Sequence, residues 1–301
     1  MTTITQPLTL GNGQTLGKYH GIGNDFVVLL DAVPGSGDSV AVPGSGDSVA
    51  VPGSGDSVAV PGSGGAELAR RVCDRHRGVG ADGLILGGRA PEGSGALLTF
   101  ALWNADGSTA EMSGNGMRCL AHAALDAGWV PAGEPFGVLT PAGRKQVTIR
   151  RTGPAATWAS VEMGVAGIDG DDQRCNIGHG QLHVDMGNPH LVVLGPDPAT
   201  VDVATLGPAL EHSVASGLNV EFVTLGPGPD EVTMRVWERG VGETQACGTG
   251  SCAAAVAFHY WGRVGSQVTV HQPGGAVAVE IGPQLSVTLA GPSERIAGLV
   301  L

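Results

Sequence analysis

Apolar and polar positions alternate along much of this chain, and in two places the alternation gives way to small residues behind a glycine turn. The clearer place is near the C-terminus. Positions 233–237 read as a strand, Glu238 and Arg239 follow, and a glycine-punctuated loop covers 240–245. Cys247 then sits on the turn Cys247, Gly248, Thr249, Gly250, and the alanine-rich run 251–258 predicts a closely packing helix. The pattern has an earlier copy. Trp237 falls on Trp103, 134 positions before it, with Glu238 and Arg239 on Asn104 and Ala105. Gly248 and Gly250 fall on Gly114 and Gly116, and Cys247 on Ser113. Gly187, Asn188, Pro189 and His190 likewise resemble Gly23, Asn24, Asp25 and Phe26, at an offset of 164. The two offsets differ by 30, the length of segment 34–63. A repeat this long predicts two homologous halves, each with an Asn-bearing strand entry and a helix that opens on Gly-x-Gly.

The remaining elements fall into place around these copies. Positions 15–30 read as β structure broken at Gly21 and Gly23, and 66–76 as a helix ending at the turn that contains Gly80, Asp82 and Gly83. Strands are expected at 84–86, 97–103, 136–140, 146–150, 157–163, 181–186, 191–194, 219–224, 268–271, 277–281, 285–289 and 296–301. Helices are expected at 117–127 and 203–212. The halves are then 1–157 and 158–292, with a strand at 293–301 returning to the first. Within the first, VPGSGDSVA starts at Val33, Val42 and Val51 and begins again at Val60. A Gly-, Pro- and Ser-rich unit of this kind buries too little to offset its ordering entropy, so 34–63 is expected to be a flexible surface insertion without a catalytic role.

Composition narrows the function. With 301 residues, 42% hydrophobic, the chain has material for real cores. A net charge of −12 with 16 Lys and Arg gives no footprint for nucleic acid or an anionic membrane, and 4% aromatic residues make no base-stacking platform. No apolar run reaches bilayer length and the first residues carry no signal-peptide pattern, so a cytoplasmic location is expected. Five cysteines form no framework, and Cys247 and Cys252 lack ligand spacing, so no metal is expected. The polar residues at element ends are mostly Asn24, Asn104, Asn188 and Asn219, joined by Glu238, Arg239 and His190. Arg239 offers a carboxylate fork, and the glycine turns offer backbone N–H groups for a second carboxylate. This set fits a small zwitterion, an amino acid. A thiol at a helix start is favoured as a thiolate, which makes Cys247 the candidate nucleophile or base. Core packing and turn chemistry are the plainer readings of Cys247 and of the Asn residues.

These motifs taken together resemble the diaminopimelate epimerase family. The resemblance is carried by His20 through Phe26, Asn104 through Gly107, Gly114 through Gly116, Gly187 through His190, and Glu238 through Gly250. It implies an α/β (α+β) fold of two pseudo-symmetric domains, each a mostly antiparallel curled sheet around a central helix, with the site in the cleft. It implies cofactor-independent interconversion of L,L- and meso-diaminopimelate, on the way to lysine and peptidoglycan, by a homodimer. In the family one cysteine removes the α-proton and another protonates the opposite face. Cys247 matches one of them, as a thiolate base, and Ser113 stands in the second acid/base position. His190 and Glu238 match positions that tune the pair. Asn24, Asn104, Asn188, Asn219, Glu238 and Arg239 match substrate contacts, and Gly114, Asn115, Gly248 and Thr249 match the backbone cradles. Gly83 stands where some members carry a Gln contact. A hydroxyl holds a proton well but is a poor base. A proline-racemase-like racemase or dehydratase, a phenazine-pathway-like isomerase and a catalytically impaired amino-acid-binding homologue are the alternatives.

Overall fold

The small-residue runs are helices that begin on the glycines themselves. The structure, a computed structural model, describes residues 8–10, 14–31, 49–50, 57–58, 64–169 and 180–299. Among these the α-helices are α1 (Gly64–Cys73), α2 (Gly114–Asp126), α3 (Val203–Glu211) and α4 (Gly248–Tyr260). Strands make up most of the rest, so the fold is mixed α/β. Helices α2 and α4 start at 114 and 248 rather than at the expected 117 and 251. The reason is that Ser113 and Cys247 act as N-caps. Both have extended backbones (φ −145°, ψ 119° and φ −124°, ψ 120°), and their side chains accept the N–H of Gly116 and Gly250. Helix α4 is buried from Gly248 through Phe258, as a helix apolar all round must be.

The chain divides into two compact units. One comprises Met1–Gly21, Asp25–Val161 and Pro292–Leu301, the other Ile22–Asn24 and Glu162–Gly291. In the first, Asn24–Asp31 runs parallel to Gly83–Arg89, which is antiparallel to Leu98–Asn104. That strand is parallel to Phe136–Thr140, which turns back antiparallel into Gly143–Gly153. In the second, Pro189–Leu194 runs parallel to Asn219–Leu225, antiparallel to Glu231–Glu238. Gln267–Gln272 follows in parallel, then Gly275–Ile281 antiparallel. The order and sense are the same. Each parallel step needs a crossover, supplied by α1 and α2 in one unit and by α3 and α4 in the other. Registers agree as well: Phe26 faces Gly83 and Val28 faces Ile85, as His190 faces Asn219 and Val192 faces Glu221.

The expected strands 285–289 and 296–301 are one strand, Ser286–Gly298, which runs through Pro292. Val287–Ala290 pairs with Ala278–Ile281, and Glu294–Gly298 with Gly17–His20. Pro292 lies between the segments that pair with Ala278–Ile281 and with Gly17–His20, so its missing N–H interrupts neither of these two ladders. The expectation of a flexible insertion at 34–63 lies outside the described residues, apart from Val49–Ala50 and Ser57–Val58. Those two pair with each other in a sheet of their own. Among the described residues no helix is long and apolar enough to cross a membrane.

Candidate active site

The start of α4 gathers the chemistry of the second unit. Cys247 is 6% exposed. Its sulfur accepts the N–H of Gly250 at 3.4 Å and lies 3.5 Å from the Thr249 hydroxyl. Its backbone is tied on both sides. The Cys247 N–H donates to Gln272 Oε1 (2.8 Å), Gln272 Nε2 donates to Ser251 Oγ (2.8 Å), and Ser251 donates to the Cys247 carbonyl (2.7 Å). Behind the cap lies a row of polar side chains. Asn188 Nδ2 donates to Thr249 at 3.5 Å, Asn188 Oδ1 lies 3.1 Å from His190 Nε2, and His190 Nδ1 lies 2.7 Å from Glu221 Oε1. His190 and Glu221 are both fully buried. Glu238 accepts the Thr244 hydroxyl and also faces the Cys247 thiol. Gly250 is closely fitted here, because a Cβ on it would lie 2.7 Å from Glu221 Oε1.

The electrostatics correct one expectation. Burial above all, then the charges of Glu238 and Glu221, push the Cys247 thiol well above its ordinary range. The Thr249 and Gly250 hydrogen bonds act the other way and are outweighed. A helix N-terminus typically contributes about 0.3–1 kcal/mol, too little against a desolvated sulfur beside two carboxylates. The resting Cys247 is therefore a thiol rather than the thiolate that its place on a helix suggests. Burial also raises Glu238, against the lowering hydrogen bonds from Thr244 and Cys247.

Arg239 is exposed, and its guanidinium donates to the Ser216 carbonyl at 3.2 Å. The Arg239 backbone N–H donates to Asn219 Oδ1 (3.0 Å), while Asn219 Nδ2 donates to the Pro189 carbonyl (3.1 Å). Asn219 thus joins the strand ends that carry His190 and Glu238. Asn24 is half-buried and directly follows the turn at Ile22 and Gly23, whose φ values are 49° and 88°. A β-branched residue at positive φ is strained and marks a closely specified turn.

In the first unit Ser113 is half-buried, and its Oγ accepts the Gly116 N–H at 3.0 Å, as Cys247 does for Gly250. Asn115 is buried with Oδ1 accepting from Arg118, and Arg118 also donates to the Gly114 and Pro292 carbonyls. The Asn115 side-chain oxygen is thereby occupied by Arg118, and the backbone of Gly114 and Asn115 forms the first turn of α2. Asn104 Nδ2 donates to Ser108 Oγ at 3.0 Å. Cys119 is fully buried beside Ser293, and burial pushes its thiol up to about 12. Among the described residues no cluster of His, Cys, Asp or Glu has the arrangement of a metal site.

The model of the diaminopimelate epimerase family matches residues 44–168 and 182–295. The chain belongs to the diaminopimelate epimerase family. A diaminopimelate epimerase of Desulfitobacterium hafniense is 36% identical over 300 residues, 93% of this chain and 95% of the relative. An O-ureido-serine racemase of Streptomyces lavendulae is 37% identical over 278 residues, 87% of this chain and 86% of the relative. The fold is shared more widely. A hydroxyproline epimerase of Agrobacterium vitis, solved with trans-4-hydroxy-L-proline, superposes with a TM-score of 0.64 at 18% identity, covering 96% of this chain and 95% of that one.

Within this epimerase fold, the second unit brings Asn188, His190, Asn219, Glu238, Cys247, Gly248 and Thr249 to neighbouring element ends. The Arg239 side chain turns away to Ser216. Sequence reasoning missed Glu221, Thr244, Gln272 and Arg118. Glu221 had a signal: it is a lone acid in the strand Asn219–Leu225, among Val220, Phe222 and Val223, all buried.

Proposed function

We propose that this epimerase interconverts L,L- and meso-diaminopimelate without a cofactor, by acid/base chemistry at the α-carbon. The observation that carries the reading is Cys247, a buried thiol capping α4 and facing the Glu238 carboxylate, in a chain of this family. The base forms when the Cys247 proton passes to Glu238, whose neutral form burial favours. The thiolate, held by Thr249 and Gly250, takes the α-proton as the C–H bond breaks. Ser113 Oγ–H supplies the proton to the opposite face; it then takes a proton from water while Glu238 releases its proton to water, which restores the starting state. Catalysis of this kind contributes roughly 100- to 10,000-fold. Backbone N–H groups of Gly114, Asn115, Gly248 and Thr249 serve one carboxylate, with Asn24, Asn104, Asn188 and Asn219 around the substrate. Arg239 takes the far carboxylate by exchanging its Ser216 partner. Supply of lysine and peptidoglycan precursors by a cytoplasmic homodimer belongs to the same reading.

The Streptomyces lavendulae relative favours one second substrate, O-ureido-serine, which shares the α-amino acid group but not the far carboxylate. Both substrates are incubated with the protein in deuterated water. The expected result is α-deuteration of L,L-diaminopimelate together with meso product. Turnover of O-ureido-serine alone would transfer the activity to the second reading. A dehydrated product would point to the proline-racemase-like alternative, and binding without exchange to an impaired homologue.

A further inference from the structure

The start of α4 is held by a ring of hydrogen bonds in which every direction is fixed. The Cys247 N–H can only donate, so the atom facing it at 2.8 Å is Gln272 Oε1, and Gln272 Nε2 is turned to Ser251 Oγ at 2.8 Å. The Cys247 carbonyl can only accept, so the Ser251 hydroxyl donates to it at 2.7 Å. Gln272 and Ser251 are both buried. An amide, a hydroxyl and a peptide do not ionise near neutral pH, so the ring is the same whether the sulfur is a thiol or a thiolate.

The first unit builds the matching place differently. Leu98 and Thr99 face Val138 and Leu139, as Val232 and Thr233 face Val270 and His271, which sets Thr140 at the register of Gln272. The turns that follow agree, since Thr140 pairs with Gly143 and Gln272 with Gly275. Thr140 Oγ1 donates to the Gly143 carbonyl of its own turn at 2.7 Å. Ser251 falls on Met117, which has no hydroxyl. Both side chains of the ring are thus replaced together, and the ring belongs to the unit with the cysteine. The cap atoms differ in the same sense. Ser113 Oγ accepts the Gly116 N–H at 3.0 Å, whereas the Cys247 sulfur, a weak acceptor, accepts that of Gly250 at 3.4 Å. In a capping box a Gln or Glu at the third helical position returns a bond to the cap N–H. That position in α4 is Gly250, and Gln272 supplies the bond from the strand Gln267–Gln272.

We propose that Gln272, with Ser251, is a positioning residue that holds the Cys247 backbone in place of the weak sulfur cap, so that the sulfur can leave the Gly250 N–H for the substrate while the first turn of α4 stays wound. The inference rests on Cys247 being the proton carrier in the reading above. A sulfur that meets an α-proton gives up part of its cap bond, and a helix start held by that bond alone would fray as it did so. With the ring in place, the Gly248 and Thr249 N–H groups also keep their direction through turnover.

The test reads Cys247 and Cys252 side by side. Cys252 is fully buried further along the same helix, so it reports any general opening of α4. The whole protein and its Gln272→Met, Ser251→Ala and Thr140→Val variants are treated with iodoacetamide without substrate, and alkylation at each cysteine is followed by site-resolved mass spectrometry. Gln272→Met keeps the length of the side chain and removes both of its bonds. It is expected to alkylate Cys247 about tenfold faster, the rise in local opening that lost buried hydrogen bonds give, with Cys252 within about twofold of the wild type. Ser251→Ala is expected to move Cys247 in the same direction, by about threefold or more. Thr140→Val, which removes a buried hydrogen bond from the other unit, is expected to leave both cysteines within about twofold. Unchanged Cys247 alkylation in Gln272→Met, equal acceleration of Cys247 and Cys252, or the same rise in Thr140→Val overturns the proposal. Should Gln272→Met not fold, Ser251→Ala decides by the same criteria. In an active protein, α-deuteration of L,L-diaminopimelate by Gln272→Met is expected to be at least about tenfold slower, because a shifted acid/base group loses its reacting geometry, and a wild-type rate there also overturns the proposal. A protein inactive on diaminopimelate still gives the alkylation answer, so failure of that reading is seen apart from failure of this one.

Discussion

Ser113 and Cys247 cap their helices in the same way, yet differ in what they can release. Each has an extended backbone and accepts the N–H of the glycine three residues on. A serine hydroxyl gives up its proton far less readily than a thiol, so in the proposed reaction Ser113 is the donor and Cys247 carries the reversible proton. On that reading Ser113→Cys is expected to raise the epimerisation rate about tenfold or more, within the range of acid/base contributions. Initial rates from L,L- and from meso-diaminopimelate should rise together, since a catalyst leaves the equilibrium unchanged. A rate that stayed level or fell would remove Ser113 from the second position. The cap residues themselves were legible in the sequence, because a glycine turn before a small-residue run announces a helix start. The protonation state of Cys247 was not. Helix position is visible in a sequence, whereas the burial and the two facing carboxylates that outweigh it come from strands far away along the chain.

At the scale of elements, the entrance to α4 is fitted more tightly than that of α2. Gly250 lies against a carboxylate that cannot swing aside, because Glu221 is fully buried and bonded to His190. Gly116 lies against Ile85 Cδ1 and the Ser113 side chain at 3.2 Å, a contact that a small shift relieves. Alanine is a better helix former than glycine by about 1 kcal/mol, and overpacking costs about 1–3 kcal/mol. Gly116→Ala is therefore expected to leave stability within about 1 kcal/mol of the wild type, while Gly250→Ala lowers it by about 1–2 kcal/mol. Denaturant melts of both variants check the contrast, and equal losses would mean that Glu221 gives way freely. Glu221 itself shows why part of the site stayed hidden. Alternation in Asn219–Leu225 puts it on the face opposite Val220 and Phe222, which pack with Leu191, Val203 and Leu218. Read alone, the strand gives that opposite face to water. Helix α4 covers it, and no local pattern carries that information.

At the scale of the whole chain, the repeat made most of the strand order legible, because the offset that aligns Trp103 with Trp237 also aligns Gly114 with Gly248. It also isolates what the chain can lose. In the second unit Pro189–Leu194 reaches α3 through residues 195–202, whereas in the first Asn24–Asp31 reaches α1 only after residues 32–63. The same crossover is thus made by a short connection in one copy and a long one in the other. Among the described residues, the two-residue strands at Val49–Ala50 and Ser57–Val58 pair with each other and with no other strand. Loop closure becomes easier as a connection shortens, by about 0.6 kcal/mol for each halving. Deleting 34–63 is therefore expected to leave stability unchanged or slightly raised, and turnover within about twofold of the full chain. Thermal melts and initial rates of the shortened protein measure both. A melting temperature lower by more than about 4 °C, which in a chain of this size corresponds to a loss of over about 1 kcal/mol, would show that the nine-residue repeats pack against the first unit. A loss of turnover at unchanged melting temperature would instead give the insertion a part in the reaction, which the short connection at the same place in the second unit argues against.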